Sequence, residues 1–302
     1  MNKLSSTVIF FGNGPVAAEC LQGFIDSFGT GSIEAVVTKT RPAHHKDAAP
    51  VEELTKELGI QLWFASNKTE LDELIGKQQP TSPVGIVIDY GVVISKRTIE
   101  YFEKGIINSH FSLLPEWRGA DPITYSLLSG QSKTGVSVML IDEGLDTGPL
   151  LAHADYDIIG TETSEELTSG LIELSCWSLE RIVPLWLSGE TVAAEQSDSP
   201  ITYSRKLTKQ DGALVFTKTA TELEREVRAF SGWPKSRTVI AGIVCAITAA
   251  KVSPTASRPG VISVTESKTM LIGCKTGSLE ILELQPAGKN KMPVSAFLNG
   301  YG

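Results

Sequence analysis

The chain lacks any pair of cysteines close enough to form a C-x-x-C motif. Its four cysteines (Cys20, Cys176, Cys245 and Cys274) are scattered, which argues against a zinc site and fits reduced thiols in a cytoplasm. No apolar run approaches the roughly eighteen residues that a membrane helix needs, so no membrane span is expected. One lysine precedes the short apolar run Thr7–Phe11, and no small-residue cleavage site follows it. A first strand is expected there rather than a signal peptide. Histidine is scarce, with four in all, and two of them (His44, His45) are adjacent. That spacing suits metal ligands on neither a helix nor a strand, so both are expected to be solvated loop residues, and no metal is implied.

The charge is divided unevenly. Residues 205–302 carry 14 Lys+Arg against 7 Asp+Glu, whereas residues 1–204 carry 13 against 28. An acidic front joined to a basic back suggests that the back half meets a polyanion. At 302 residues the chain is long enough for two domains.

Taken in order, TVIFFG (7–12) predicts a strand, and Gly12-Asn13-Gly14-Pro15-Val16-Ala17 fits the G-x-G-x-x-A turn that brings backbone close to a pyrophosphate. The second strand, Glu34–Thr38, ends in Thr-Lys-Thr-Arg rather than in the acid that a ribose would want. A dinucleotide site is therefore only a minor alternative. Helices are expected over Pro50–Leu58, Thr69–Lys77 and Asp121–Leu128. The run VGIVIDYGVV (84–93) predicts a strand buried on both faces, with Asp89 either facing a crevice or ending it. Strands alternating with helices indicate a doubly wound α/β sheet. Thr163 and Glu166 form a capping box opening a helix with apolar positions Leu167, Leu171, Leu174 and Trp177; Pro184 is expected to kink or end it. The polar stretch from 191 to 204 is the expected linker between domains 1–190 and 205–302. The second domain should begin with a helix over Thr221–Phe230, capped by Thr221 and Glu224. Short strand-like runs follow (Thr238–Ala250, Gly260–Thr265, Thr269–Cys274, Ser278–Leu284), and they suggest a small antiparallel, OB-like β-barrel.

Two stretches carry chemistry. GIINSHFSLLPEWRG (105–119) predicts a short buried strand ending in Asn108, Ser109 and His110. Residues two apart on a strand share a face, so Asn108 and His110 should point together into the crevice beyond the sheet. VSVMLIDEGLDTG (136–148) repeats the design, with an apolar strand and then a loop bearing Asp142, Glu143 and Asp146. An amide donor, an imidazole and a carboxylate are enough to hold an oxyanion and move a proton. The structural alternative is that Asp146 merely bonds its own turn.

The joint pattern N-x-H-x-SLLP-x-x-RG and D-x-G-x-DTG resembles the folate-dependent formyltransferases. AFSGWPKSRT (229–238) and LQPAGKNKM (284–292) are similar to the members that act on methionyl-tRNA. The resemblance implies a Rossmann-like catalytic domain and an OB-like domain that helps hold tRNA. It implies 10-formyltetrahydrofolate as co-substrate, the α-amine of methionyl initiator tRNA as acceptor, and a cytoplasmic monomer. By the same resemblance Asn108, His110 and Asp146 are catalytic. Ser112, Leu113, Leu114 and Pro115, with Tyr90, Gly91, Asp142, Glu143 and Gly144, line the folate site. Gly12, Asn13, Gly14, Arg41, Lys46, Arg118, Lys206, Lys235, Arg237, Lys289 and Lys291 face the tRNA. The chain departs from the family at three places. Gly12-Asn13-Gly14-Pro15 stands where Gly-Thr-Pro is usual, Asp89 replaces a small residue, and the loop TRPAHHKDAAP is short.

In the expected mechanism, Asn108 and a protonated His110 donate to the oxyanion, while Asp146 orients His110, favours its charged form and helps relay the proton that the amine loses. A formyltransferase acting on a sugar nucleotide or another small amine is the alternative within enzymes. A non-catalytic RNA-binding protein is the alternative outside them.

Overall fold

The computed structural model describes residues 4–40, 49–197 and 199–301. The elements run β1 (Val8–Gly12), α1 (Pro15–Phe28), β2 (Ile33–Thr38), α2 (Pro50–Glu57), β3 (Leu62–Phe64), α3 (Lys68–Gln78), β4 (Val84–Ile88), α4 (Lys96–Tyr101) and β5 (Ile106–His110). They continue through β6 (Arg118–Gly119), α5 (Pro122–Ser129), β7 (Lys133–Leu140), β8 (Leu150–Asp157), α6 (Ser164–Ser188) and β9 (Tyr203–Ser204). The remainder comprises α7 (Ala220–Ala229), β10 (Ser236–Ile240), β11 (Ile243–Ser253), β12 (Ile262–Val264), β13 (Met270–Gly273), β14 (Ser278–Pro286), β15 (Met292–Pro293) and α8 (Val294–Tyr301).

Two compact units result. One holds Met1–Gly119, Lys133–Asp157 and Thr168–Tyr203; the other holds Ala120–Ser132, Ile158–Leu167 and Ser204–Gly302. The first is built on a sheet of order β3-β2-β1-β4-β5-β7-β8. Strands β3 to β5 pair in parallel, and β7 and β8 add antiparallel. The chain leaves β1 toward one edge and returns at β4 on the other side, so a crevice opens between their carboxyl ends. Strands β1 and β4 are buried at every residue, as a sheet covered on both faces requires. Strand β4 is shorter than its apolar run because Asp89 and Gly91 take positive φ (45° and 63°) and turn the chain. Asp89 therefore ends the strand.

Helix α6 starts at the expected box: Thr163 N–H donates to Glu166 (2.8 Å), and Glu166 N–H to the Thr163 hydroxyl (3.3 Å). Pro184 does not end it, since the helix runs on to Ser188. Leu167 and Leu171 are fully buried, but Trp177 is half exposed, with the Arg181 guanidinium 4.0 Å from its ring centre. Two cysteines far apart in sequence meet between α1 and α6. Their mutual hydrogen bond pushes the Cys20 thiol up and brings the Cys176 thiol down.

The second unit is an antiparallel sheet of order β10-β11-β14-β13-β12, with β15 on β14, curled by bulges along β11. The expected strand Thr238–Ala250 is a hairpin, because Ala241 and Gly242 both take positive φ (50° and 78°), as a tight turn demands. Helix α7 is capped two residues earlier than the sequence pattern suggests: Thr219 and Glu222 form the box. The sequence offers two overlapping T-x-x-E boxes. The chosen register leaves Glu224 to pair with Arg228 (2.7 Å) while Leu223 and Val227 enter the core with Ile247, Ile272, Leu279 and Phe297.

Candidate active site

Strand β5 sorts its polar residues by face. Ser109 is buried, its hydroxyl 2.6 Å from that of Ser175 on α6. Asn108 and His110 therefore share the opposite face, as alternation requires. The Asn108 side-chain amide is half buried and takes no hydrogen bond from the described residues. His110 is 6% exposed, with Nε2 3.1 Å from the Trp117 carbonyl and Nδ1 3.8 Å from Asp146 Oδ2. A carbonyl can only accept, so Nε2 carries the proton and, in the neutral ring, Nδ1 keeps its lone pair.

Burial pushes the His110 pKa below the ordinary imidazole value; the Asp146 carboxylate and the Trp117 carbonyl act the other way without offsetting it. This corrects the expectation of a charged His110. At neutral pH the ring is neutral, because desolvation of an imidazolium outweighs one carboxylate at 3.8 Å.

The three acids of the 141–149 loop have separate tasks. Asp142 is a turn residue: Oδ1 accepts from Gly144 N–H (3.0 Å) and from the Thr147 hydroxyl (2.8 Å). Glu143 is exposed, 3.6 Å from Lys96. Asp146 alone faces the imidazole. It sits at φ 52°, a left-handed conformation that Asp tolerates, and its Oδ2 also accepts from Gly119 N–H at 2.7 Å. Gly148 has no room for a side chain, since a Cβ would come within 1.8 Å of the Leu140 carbonyl.

The other expected site residues divide. Ser112 and Leu114 are buried, and Pro115 also lies inside the fold. Ser112 donates to the Glu116 carbonyl (2.5 Å), and Ser137 ties this loop from both sides. These residues shape the loop, and Leu113 is the half-buried one. Tyr90 is buried, its hydroxyl donating to the Ala65 carbonyl (2.8 Å), which leaves Gly91 exposed at the turn. A Cβ on Gly91 would lie 2.8 Å from Lys39 Nζ, and one on Gly14 would lie 2.2 Å from Asp89 Oδ2. Lys39, Gly14, Asp89 and Gly91 thus gather at the ends of β1, β2 and β4. Arg41, Lys46, His44 and His45 lie outside the described residues.

Arg118 is a correction. It is 8% exposed, and its guanidinium donates to Gln196 Oε1 at 2.6 Å, so it is an internal brace and not a surface contact for a polyanion. In the second unit Lys206 and Lys289 are exposed, and Lys291 pairs with Glu283 (2.8 Å). Lys235 Nζ reaches Gln285 Oε1 (3.3 Å), Gln285 donates to the Lys289 carbonyl (3.0 Å), and Arg237 donates to the Lys209 carbonyl. Arg237, Ala246 and Gln285 are in register across β10, β11 and β14. Lys235 and Arg237 therefore lie near this register, with the Lys209 and Lys289 backbones bonded beside it and Trp233 58% exposed just before them. Lys209 and Gln196 carry no motif of their own in the sequence, and only the charge excess hints at the first.

Residues 5–183 match the Formyl transferase family, and residues 206–302 match Formyl transferase, C-terminal domain. The methionyl-tRNA formyltransferase of Myxococcus xanthus is 34% identical over 97% of this chain and 95% of its own length. That of Gluconobacter oxydans is 31% identical over 97% and 96%. An N-formyltransferase from Helicobacter canadensis, solved with folinic acid and dTDP-3-aminofucose, superposes with a TM-score of 0.70. It is 16% identical and covers 95% of this chain and all of its own, which supports the fold alone. By the family match over both domains and the end-to-end identity to these relatives, the chain belongs to the formyl transferase family.

Proposed function

We propose that the protein transfers the formyl group of 10-formyltetrahydrofolate to the α-amine of methionyl initiator tRNA. The observation that carries this reading is the 34% identity to a methionyl-tRNA formyltransferase across 97% of the chain, second domain included. The residues fit a folate. The two loops assigned to it each expose an apolar side chain beside turned backbone, Val93 (73% exposed) after Gly91 and Leu145 (58%) after Gly144. Apolar surface next to free backbone groups suits a flat heterocycle with alternating donors and acceptors.

When bound, the folate supplies the formyl carbon. Asn108 donates its amide N–H to the carbonyl oxygen as charge develops there, a contribution of about 10²–10³ in rate for a preorganised donor. His110, neutral and anchored through Nε2 to Trp117, offers Nδ1 to the proton that the attacking amine loses as the new C–N bond forms, and that proton passes to the departing N10 nitrogen as the C–N10 bond breaks. Asp146, 3.8 Å away, stabilises the imidazolium that forms. The role of His110 is thus proton acceptor, where the sequence alone suggests an oxyanion donor. The cations around Gln285, with Lys206, meet the tRNA backbone. Residues 1–190 serve as the catalytic domain, 191–204 as the connection and 205–302 as the tRNA-holding domain of a cytoplasmic monomer.

The test is formyl transfer from 10-formyltetrahydrofolate to methionyl initiator tRNA, beside methionyl elongator tRNA and an amino-sugar nucleotide. Product on the initiator tRNA is expected. Product on the sugar nucleotide alone would overturn the reading.

A further inference from the structure

The stretch after α6 reads in sequence as a polar tether, yet it is hydrogen-bonded to both motif loops. Ala194 and Leu150 exchange two backbone hydrogen bonds (2.6 and 2.8 Å). Thr202 accepts from Trp117 N–H through its hydroxyl (2.8 Å) and from Arg118 N–H through its carbonyl (3.0 Å). Between these anchors lies Gln196. Its Nε2 donates to two carbonyls of the acidic loop, those of Asp146 (2.8 Å) and Gly148 (2.9 Å). Its Oε1 accepts from Arg118 at 2.6 Å. Both amide hydrogens and the amide oxygen are engaged, so donor and acceptor identity fixes the orientation of the group.

We propose that Gln196 is a positioning residue for formyl transfer, holding the Asp146 backbone so that its carboxylate faces His110. The proposal rests on the role given to Asp146 above. Asp146 sits at positive φ, and its carboxylate has one further anchor, Gly119 N–H. The backbone carbonyl on which Gln196 pulls belongs to that same residue. Through Arg118 the amide also links the acidic loop to the loop that follows β5. Releasing it leaves the carboxylate free to swing away from Nδ1, and displacements of about 1 Å at a reacting group reduce turnover by roughly 10²-fold.

Gln196→Glu and Gln196→Leu test this. The glutamate keeps the volume and still accepts from Arg118, but it cannot donate to either carbonyl. It also serves should the leucine variant fold poorly, with folding checked by circular dichroism. Both are expected to lower kcat by about 10- to 10²-fold, with little change in KM for the folate. The acid limb of kcat/KM should move to lower pH. Asp146 is the charged group that raises the His110 pKa, alongside the Trp117 carbonyl and against burial, so its withdrawal lets burial act unopposed.

A double-variant cycle separates positioning from bulk structure. If Gln196 acts through Asp146, adding Gln196→Leu to Asp146→Asn lowers kcat no further. Wild-type kcat in both Gln196 variants overturns the proposal, and so does a fully additive loss in the double variant. Full activity of Asp146→Asn alone would instead overturn the role of Asp146, whatever the Gln196 variants do.

Discussion

In the first unit His110 is 6% exposed and Asp146 is held by Gly119 and Gln196. In the second, Lys206, Lys209 and Lys289 stand in solvent without an ion pair among the described residues. The difference fits the roles proposed for the two regions. A proton acceptor for an amine has to be neutral at working pH and fixed in direction, which burial and a carbonyl at Nε2 provide. Contacts to a polyanion gain from releasing its counterions, which exposed and lightly engaged cations do well. Glu226 on α7 shows that the second unit can also bury an acid: burial pushes its carboxyl pKa up, and its partner Lys218 stays half exposed.

Variants can break this contrast in order of effect. Replacing Asn108 or His110 with alanine should lower kcat by about 10²–10³-fold, leaving the salt dependence of tRNA binding as it was. Steady-state kinetics at two salt concentrations check both halves. Asp146→Asn should lower kcat by less and shift the acid limb of kcat/KM toward lower pH. The sign follows because the carboxylate raises the His110 pKa and removing it lets burial lower that value further. Charge reversal at Lys209 and Lys289 together should leave kcat near wild type. It should raise KM for tRNA and flatten the slope of log Kd against log salt by about one for each phosphate no longer neutralised. The smallest effect is on stability alone: Thr219→Ala removes the α7 cap and should cost about 1 kcal/mol in urea unfolding, with activity unchanged.

The buried neutral imidazole has a second consequence. Its native pKa lies below that of the unfolded chain, about 6.5, so the unfolded state binds the proton more readily as pH falls through that value. The His110 contribution to stability is complete above pH of about 6.5 and declines below it. His110→Gln should reduce the acid sensitivity of the melting temperature.

Much of this was legible in the chain. The alternation of β5 put Asn108 and His110 on one face, and the Gly-punctuated acidic loop announced its turn. Two things were hidden because they depend on distant neighbours. The charge state of His110 is set by burial, which its sequence neighbours Ser109 and Phe111 cannot reveal. The resemblance implies a tRNA-facing Arg118, and its partner Gln196, 78 positions away, leaves no local signal. The sequence reading caps α7 at Thr221 and Glu224, whereas the overlapping box at Thr219 and Glu222 is the one formed, with Leu223 and Val227 packed in the core. The turn at Ala241-Gly242 was hidden inside an apolar run, because alanine gives no turn signal of its own.

The proton-acceptor role proposed for His110 requires a neutral ring in the resting enzyme. NMR titration of its imidazole, in the wild-type protein and in Asp146→Asn, tests it directly. A midpoint below the ordinary imidazole value is expected, coinciding with the acid limb of kcat/KM and falling further in the variant. A midpoint above that value, unmoved by Asp146→Asn, would contradict it.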